Sequence, residues 1–369
     1  MRVLVACGGT SGHINPAIAI AGELRRRHKD AGFLFIGTEE HLEADLVPRA
    51  GFDITHIHVT GLSRKKNFSA LKHNMAALSH FREAQKQTAR IIRGFRPDIV
   101  IGTGGYVSAP VLTQAVRMKI KTVIHEQNAF AGMTTKMLAP KADLVFLSFP
   151  LAHPIRCRKD RCFVVGNPVR EEFRNINRKE ARQKLGIPEN IPLVLSYGGS
   201  LGAAKINEAM CAFARKAAEE NVLVLYHGAA RDYDQVCATL SDLAGHPRIR
   251  IFQYIYNMPQ VMAASDLVIS RSGAMSLSEI AVLAKPSVLI PSPNVTENHQ
   301  YFNAKAYSDA GAAILVPEAE LEGNALYDTV RDLVFDRGRL TQMARAAGNL
   351  SHPEAVGQIC DKIEALLLR

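Results

Sequence analysis

Four short stretches set glycine and small hydroxyl residues directly after apolar runs: Gly8-Gly9-Thr10-Ser11-Gly12, Gly102-Thr103-Gly104-Gly105-Tyr106, Gly198-Gly199-Ser200-Leu201-Gly202 and Ser270-Arg271-Ser272-Gly273-Ala274. Glycine lets a backbone approach an anion closely, and the free N–H groups of a following helix can donate to it. One such turn is a common turn former; four in one chain point to a bound anion. His13 follows the first turn directly. Imidazole titrates near neutral pH, so at a ligand-binding edge it is a candidate general base. A histidine capping a helix that starts near Pro16 is the plain alternative.

None of the four turns spells G-x-G-x-x-G, and no G-x-x-x-x-G-K-[ST] occurs, so the dinucleotide fingerprint and the P-loop are both absent. The fourth turn runs on as A-M-S-L-S-E, placing Ala274, Met275, Ser276, Leu277, Ser278 and Glu279 in the first turns of a helix. Its N–H groups suit a diphosphate, and Glu279 suits the vicinal hydroxyls of a ribose. An acid complementing the helix dipole is the alternative. Further polar clusters stand where strands should end: His125-Glu126-Gln127-Asn128, Asn167-Pro168-Val169-Arg170 and Asn298-His299-Gln300. Arg170 could reach a phosphate.

Metal chemistry finds little support. Asp232-Tyr233-Asp234 matches the Asp-x-Asp of metal-dependent sugar-nucleotide enzymes, but it lies in a helix-like stretch with no strand just before it and reads as a solvated face. Cys157 and Cys162 are the only close pair among six cysteines, with no second pair to complete a zinc site. Neither a metal nor another cofactor is expected.

The elements that must position these residues alternate strand and helix throughout. Apolar runs at Val3 to Ala6, Phe33 to Ile36, Ile99 to Ile101, Thr122 to Ile124 and Leu144 to Leu147 form one series. A second runs through Leu193 to Ser196, Val222 to Tyr226, Arg250 to Phe252, Leu267 to Ser270, Ser287 to Ile290 and Ala313 to Val316. This rhythm predicts an α/β chain with parallel sheets covered by helices. The stretch V-L-V-A-C-G-G-T-S-G returns half a chain later as L-V-L-S-Y-G-G-S-L-G, which makes two Rossmann-like domains, residues 1–164 and 165–352. The 369 residues suit two domains. In the last segment, residues 353–369, Val356, Ile359, Ile363 and Leu366 recur at helical spacing and could pack back on the first domain.

Charge divides the chain as well. Residues 1–165 carry 24 Lys and Arg against 12 Asp and Glu, whereas the remainder carries 21 against 23. A basic first half could face nucleic acid, an anionic membrane or a phosphorylated substrate. Within it, Phe68, Leu71, Met75, Leu78 and Phe81 recur at three- and four-residue steps among Arg64, Lys65, Lys66, Lys72, Arg82 and Lys86. Such an amphipathic helix either faces the core or lies on a membrane surface. The start Met-Arg-Val-Leu already reads as strand rather than signal peptide, and no apolar run approaches the ~20 residues of a membrane span. A cytosolic protein with reduced thiols is expected.

The motifs resemble those of the MurG family, the lipid-linked N-acetylglucosaminyltransferases of peptidoglycan synthesis. The matching words are G-G-T-S-G-H from Gly8, E-A-D-L-V-P from Glu43, G-G-Y-V-S-A-P from Gly104, H-E-Q-N from His125, G-N-P-V-R from Gly166, G-G-S-L-G-A from Gly198, S-R-S-G-A-M-S-L-S-E-I-A from Ser270 and Q-Y-F-N-A from Gln300. They span essentially the whole chain. The resemblance implies a GT-B type glycosyltransferase, with two Rossmann-like domains facing a cleft. It further implies inverting transfer from UDP-GlcNAc to the 4-hydroxyl of the MurNAc of lipid I, giving lipid II. Peripheral attachment to an anionic surface, the cytoplasmic face of the cell inner membrane, is implied too, with cell-wall synthesis proteins as further partners, no nucleic acid and no metal.

Carried over by matching residues, Thr10, Ser11 and Gly12 fall in the first glycine loop, Asn128 ends H-E-Q-N and Arg170 is the junction arginine. Ser200 falls in the loop of the second domain, and Ile255 matches a backbone contact to uracil. Ala274 to Glu279 match the diphosphate and ribose helix, and Gln300 a donor-sugar contact. In this frame His13 is the candidate base, or orients the acceptor, and the Phe68 to Phe81 stripe reads as a membrane-docking surface. Ser11 stands where the family commonly has glycine, and His299 where it often has glutamine. A glycolipid glycosyltransferase or a UDP-sugar 2-epimerase would share the fold and donor helix but lack H-E-Q-N and G-G-Y-V-S. A non-enzymatic UDP-sugar-binding membrane subunit remains compatible with the binding motifs alone.

Overall fold

Val3, Leu4, Val5 and Ala6 alternate between two buried faces of one strand, and that alternation builds the first half of the molecule. A computed structural model describes residues 1–61, 68–295 and 298–368. The chain divides into two compact units: Met1–Arg170 together with Glu354–Arg369, and Glu171–Pro353.

In the first unit the strands are β1 (Arg2–Ala6), β2 (Gly32–Gly37), β3 (Ile54–His56), β4 (Ile99–Gly102), β5 (Lys121–Glu126), β6 (Leu144–Leu147) and β7 (Cys162–Val164). They pair in parallel in the order β3-β2-β1-β4-β5-β6-β7. The helices are α1 (Ser11–Arg27), α2 (Glu43–Arg49), α3 (Phe68–Phe95), α4 (Ser108–Arg117) and α5 (Met133–Leu138). On one face of the sheet Val3 and Val5 pack with Ile14, Ile20 and Leu24 of α1. On the other, Leu4 and Ala6 pack with Val111 and Leu112 of α4 and Ile92 of α3. Strands covered on both faces read as unbroken apolar runs, which is why β1, β4 and β6 stand out in the sequence.

The second unit repeats the plan. Its helices are α6 (Glu171–Arg174), α7 (Arg178–Leu185), α8 (Ala204–Glu220), α9 (Tyr233–Thr239), α10 (Met258–Ala264), α11 (Ala274–Val282), α12 (His299–Asp309), α13 (Gly323–Phe335) and α14 (Arg337–Asn349). Strands β8 (Leu193–Tyr197), β9 (Val224–Gly228), β10 (Ile249–Phe252), β11 (Leu267–Ser270), β12 (Ser287–Leu289) and β13 (Ala313–Leu315) form a parallel sheet in the order β10-β9-β8-β11-β12-β13. Val194 and Leu225 of this sheet pack with Ile206 and Phe213 of α8 and Val330 and Leu333 of α13.

The closing helix α15 (Ala355–Leu367) belongs to the first unit. Ile359 and Ile363 are fully buried in the core that holds α1, and Arg27 of α1 reaches Asp361 at 2.6 Å and Glu364 at 3.1 Å. The division between units falls at Arg170, six residues beyond the boundary expected at residue 164, because the segment after β7 still belongs to the first unit: Val165 donates to Leu147 O, and Asn167 bonds Ser148. Arg170 therefore closes the first unit.

On α3 the core-facing stripe differs from the one periodicity picks out. Ala77, Ala84, Thr88 and Ile92 are buried, while Met75 and Leu78 are 69% and 55% exposed. Arg64, Lys65 and Lys66, and the side chains of Phe68, Leu71 and Lys72, lie outside the described residues. No helix among the described residues is long and apolar enough to cross a membrane.

Candidate active site

In both sheets strand order reverses beside the first strand, between β1 and β4 and between β8 and β11. Open α/β sheets bind ligands beyond the carboxyl ends of the strands at such a switch point. The four glycine-bearing turns follow β1, β4, β8 and β11, so each pair sits at one switch point.

In the first unit the two turns interlock through their glycines. A Cβ on Gly105, at φ +79°, would meet the Gly8 carbonyl oxygen at 2.4 Å, and one on Gly104 would meet the His13 ring at 2.5 Å. The first turn is anchored by Glu43, a fully buried carboxylate at the start of α2 that accepts from Gly9 N at 3.0 Å, Thr38 N at 3.0 Å and Thr38 Oγ1 at 2.7 Å. Helix α1 begins at Ser11, five residues before Pro16, with Thr10 extended at the cap. Ser11 and Gly12 thus present first-turn N–H groups, and His13 is a helical residue rather than part of a loop.

His13 does not cap its helix. Its Nδ1 lies 3.0 Å from Gln127 Oε1 and 3.1 Å from the Thr103 carbonyl oxygen. Both are acceptors, so the proton resides on Nδ1 and the lone pair on Nε2. Gln127 is oriented in turn: its Nε2 donates to Thr103 O at 2.7 Å and to His125 Nδ1 at 2.9 Å, which turns Oε1 toward His13. His125 is buried; Gly166 O and Ser148 Oγ lie 3.4 and 3.3 Å from its Nε2. Desolvation drives His125 down to about 4, and Gly166 O only partly offsets this, so the ring is neutral. Ser148 Oγ donates to Asn167 Oδ1 at 2.6 Å, and Asn167 Nδ2 to Gln127 O at 3.4 Å, closing the network.

H-E-Q-N straddles the end of β5 and divides by partner. His125 and Gln127, two apart, serve His13. Glu126 accepts from Gly132 N at 2.8 Å and Thr135 Oγ1 at 2.7 Å, fixing the start of α5, and from Asn128 N at 3.3 Å. Asn128 is half-buried just past the end of β5, and Arg170 is half-buried at the end of the unit.

In the second unit the Gly198 turn carries Gly199 and Gly202 at φ +87° and +77°, with Ser200 half-buried between them. Helix α11 follows Gly273 with no side-chain cap. Leu277 N donates to Gly273 O, so the helix leaves Ala274, Met275 and Ser276 as its first donors. The side chains of Ala274, Met275 and Leu277 are buried, which leaves the first two only their backbone for a ligand; Leu277's donor is already engaged. Glu279 is buried at the sixth helical position, past the first turn in which an acid complements the dipole. Ser278 Oγ donates to Ala274 O at 2.9 Å.

Gln300, at the start of α12, is tied to the turn before α11 and to the loop after β12: Ser272 Oγ donates to Gln300 O at 2.7 Å, and Gln300 Oε1 accepts from Ser292 N at 2.9 Å. Arg271 is committed to Glu318 and to the Ile290 and Pro291 carbonyl oxygens. Ile255 is buried, its side chain 3.4 Å from the position of a Cβ on Gly228. Asp232 ends a short 3-10 turn and accepts from Asn207 of α8 at 2.9 Å. No group of three or more His, Cys, Asp or Glu among the described residues is placed to hold a metal ion.

Two parallel sheets with glycine turns at their switch points, one beside a histidine and one leading into an uncapped helix, define the class: a two-unit α/β protein with a ligand-binding edge in each unit. Residues 3–147 match the glycosyltransferase family 28 N-terminal domain and residues 193–359 its C-terminal domain. A UDP-N-acetylglucosamine--N-acetylmuramyl-(pentapeptide) pyrophosphoryl-undecaprenol N-acetylglucosamine transferase of Acetivibrio thermocellus is 41% identical, covering 100% of this chain and 98% of its own. The crystal structure of Acinetobacter baumannii MurG matches with a TM-score of 0.69 at 26% identity, covering 99% of each chain. A putative UDP-N-acetylglucosamine 2-epimerase of Listeria monocytogenes has a TM-score of 0.68 at 16% identity, covering 99% of this chain and 96% of its own, a likeness of fold alone. The chain belongs to the MurG family of N-acetylglucosaminyltransferases.

Proposed function

We propose that the chain transfers N-acetylglucosamine from UDP-GlcNAc to the 4-hydroxyl of the MurNAc of lipid I, with inversion, forming lipid II. The bond from the sugar C1 to the diphosphate oxygen breaks as the acceptor O4 bonds C1 from the opposite face. The O4 proton passes to His13 Nε2, and the electron pair leaves on UDP. His13 is the base because its Nδ1–H is held by Gln127 Oε1 and Thr103 O, leaving the lone pair on Nε2; this one observation carries the reading. The same two acceptors stabilise the imidazolium that forms.

Departing UDP is met by the first donors of α11, at Ala274, Met275 and Ser276, and by the turn holding Ser200, with Arg170 as a further cation. Glu279 takes the ribose hydroxyls, the Ile255 backbone the uracil and Gln300 the donor sugar. On the acceptor side Thr10, Ser11, Gly12 and Asn128 surround the muramyl sugar. A lipid-anchored acceptor places the enzyme peripherally on the cytoplasmic face of the membrane. The exposed Met75 and Leu78 and the basic excess of residues 1–165 support that attachment.

Incubation with labelled UDP-GlcNAc and a short-chain lipid I analogue tests the function. Label should appear in a disaccharide lipid. Free GlcNAc epimerised at C2, or binding without turnover, would overturn the reading in favour of an epimerase or a recruitment subunit.

A further inference from the structure

A cavity of about 330 Å³ lies in the first unit beyond the carboxyl ends of β2 and β3, one strand removed from the switch point. Its lining includes His41, His56 and His58, the carboxylates Glu39 and Glu40, and Tyr106. His41 comes from the segment after β2, His56 ends β3 and His58 follows it, and His56 Nδ1 stands 4.0 Å from Glu39 Oε1. Tyr106 is the wall shared with the glycine turns: a Cβ on Gly9 would meet its ring at 3.7 Å, and the His41 ring packs on it edge-on at 5.9 Å.

Three properties restrict the occupant. Polar and apolar surface share the lining equally, but Ile57 and Val59 are its only aliphatic side chains and ionisable groups interrupt the apolar part, which disfavours a polyprenyl chain. Two carboxylates stand in the wall, which disfavours a diphosphate by like-charge repulsion. At the small end of the roughly 300–1,000 Å³ range of ligand pockets, the volume suits part of a ligand anchored elsewhere. Imidazole donors beside carboxylate acceptors suit a ligand bearing both carboxylate and amino or amide groups, as a short peptide does. β3 is the edge strand of its sheet, and among the described residues no strand pairs with its outer side, so peptide backbone can lie along it.

We infer that this cavity receives the peptide stem of the acceptor, running past Tyr106 while the muramyl sugar sits at the glycine turns beside His13. This rests on the acceptor proposed above and adds the subsite that reads its peptide. His41 and His58 donate to peptide carboxylate or carbonyl oxygens, and Glu39 and Glu40 accept from amino or amide groups.

The test compares two short-chain acceptors, one with the full pentapeptide and one whose lactyl group ends in a simple amide. In the double variant His41→Ala/His58→Ala, both changes lie at exposed positions. KM for the pentapeptide acceptor should rise about tenfold, the loss of one or two hydrogen bonds to charged groups. KM for the amide acceptor and for UDP-GlcNAc should stay unchanged. Glu39→Gln/Glu40→Gln should act in the same direction. Equal losses on both acceptors, or no loss on either, would overturn the inference. Failure of the unsubstituted enzyme to use either acceptor would instead overturn the transferase reading beneath it.

Discussion

His13 gains its chemical character from a neighbour that no motif singles out. With Gln127 and Thr103 holding the Nδ1 proton, the imidazole is delivered in one tautomer, and Nε2 is the basic atom. Replacing His13 by Ala should lower kcat by roughly 10²- to 10⁴-fold, the usual contribution of a general base. UDP affinity, read by calorimetry, should hold, because the proposed UDP contacts other than Arg170 lie in the other unit and His13 is assigned to none of them; unchanged turnover would remove His13 from the chemistry. His13 itself was legible in the sequence, as a titratable residue after a glycine turn. Gln127 was visible only as one letter of a polar cluster following a strand, because its role depends on the long-range approach of Thr103 and His13. Glu43 gave no signal beyond its place in a matching word, because its role depends on a long-range approach to Gly9 and Thr38.

Elements with a strong local signature were readable, and those defined by their neighbours were not. Every strand named in the sequence forms, but β3 and β7, the two edges of the first sheet, were missed. Each has three residues and is covered on one side only, so neither shows a buried run. Helix α3 carries the instructive ambiguity. Its apolar spacing fitted either a core or a membrane face, and the fold assigns the core face to small residues such as Ala77 and Ala84. Met75 and Leu78 are left outside at no gain to folding. Changing both to Gln should leave stability within about 0.5 kcal/mol each, as expected of exposed sites. Binding to vesicles containing anionic lipid should fall roughly tenfold to a hundredfold, given about 0.8 kcal/mol per CH₂ withdrawn from water. Turnover on a water-soluble acceptor should persist; undiminished vesicle binding would refute α3 as the docking face.

Across the whole molecule, each unit keeps one buried neutral histidine in its polar network. In the first unit it is His125, and in the second it is His227 on β9, bonded to Ser196 at 3.2 Å and Asn207 at 3.1 Å and depressed by burial to about 4. In the unfolded chain both return to about 6.5. Between these values the unfolded chain binds more protons, so the stabilisation is complete above about pH 6.5 and lost as pH falls toward 4. Melting temperature should therefore drop between pH 7 and 5, before most carboxylates titrate. The double variant His125→Asn/His227→Asn should flatten that slope, and an unaltered slope would show that other groups govern acid sensitivity.

The return of α15 to the first unit has a consequence for biosynthesis. The segment Glu171–Pro353 is, in effect, inserted between the bulk of the first unit and its final helix. On the ribosome, the first core must wait with the α1 surface uncovered until Ile359 and Ile363 emerge, while the inserted unit, continuous in sequence, completes itself beforehand. The part that begins first is thus the part that finishes last, and a nascent chain stalled before α15 would present the apolar side of α1 to chaperones.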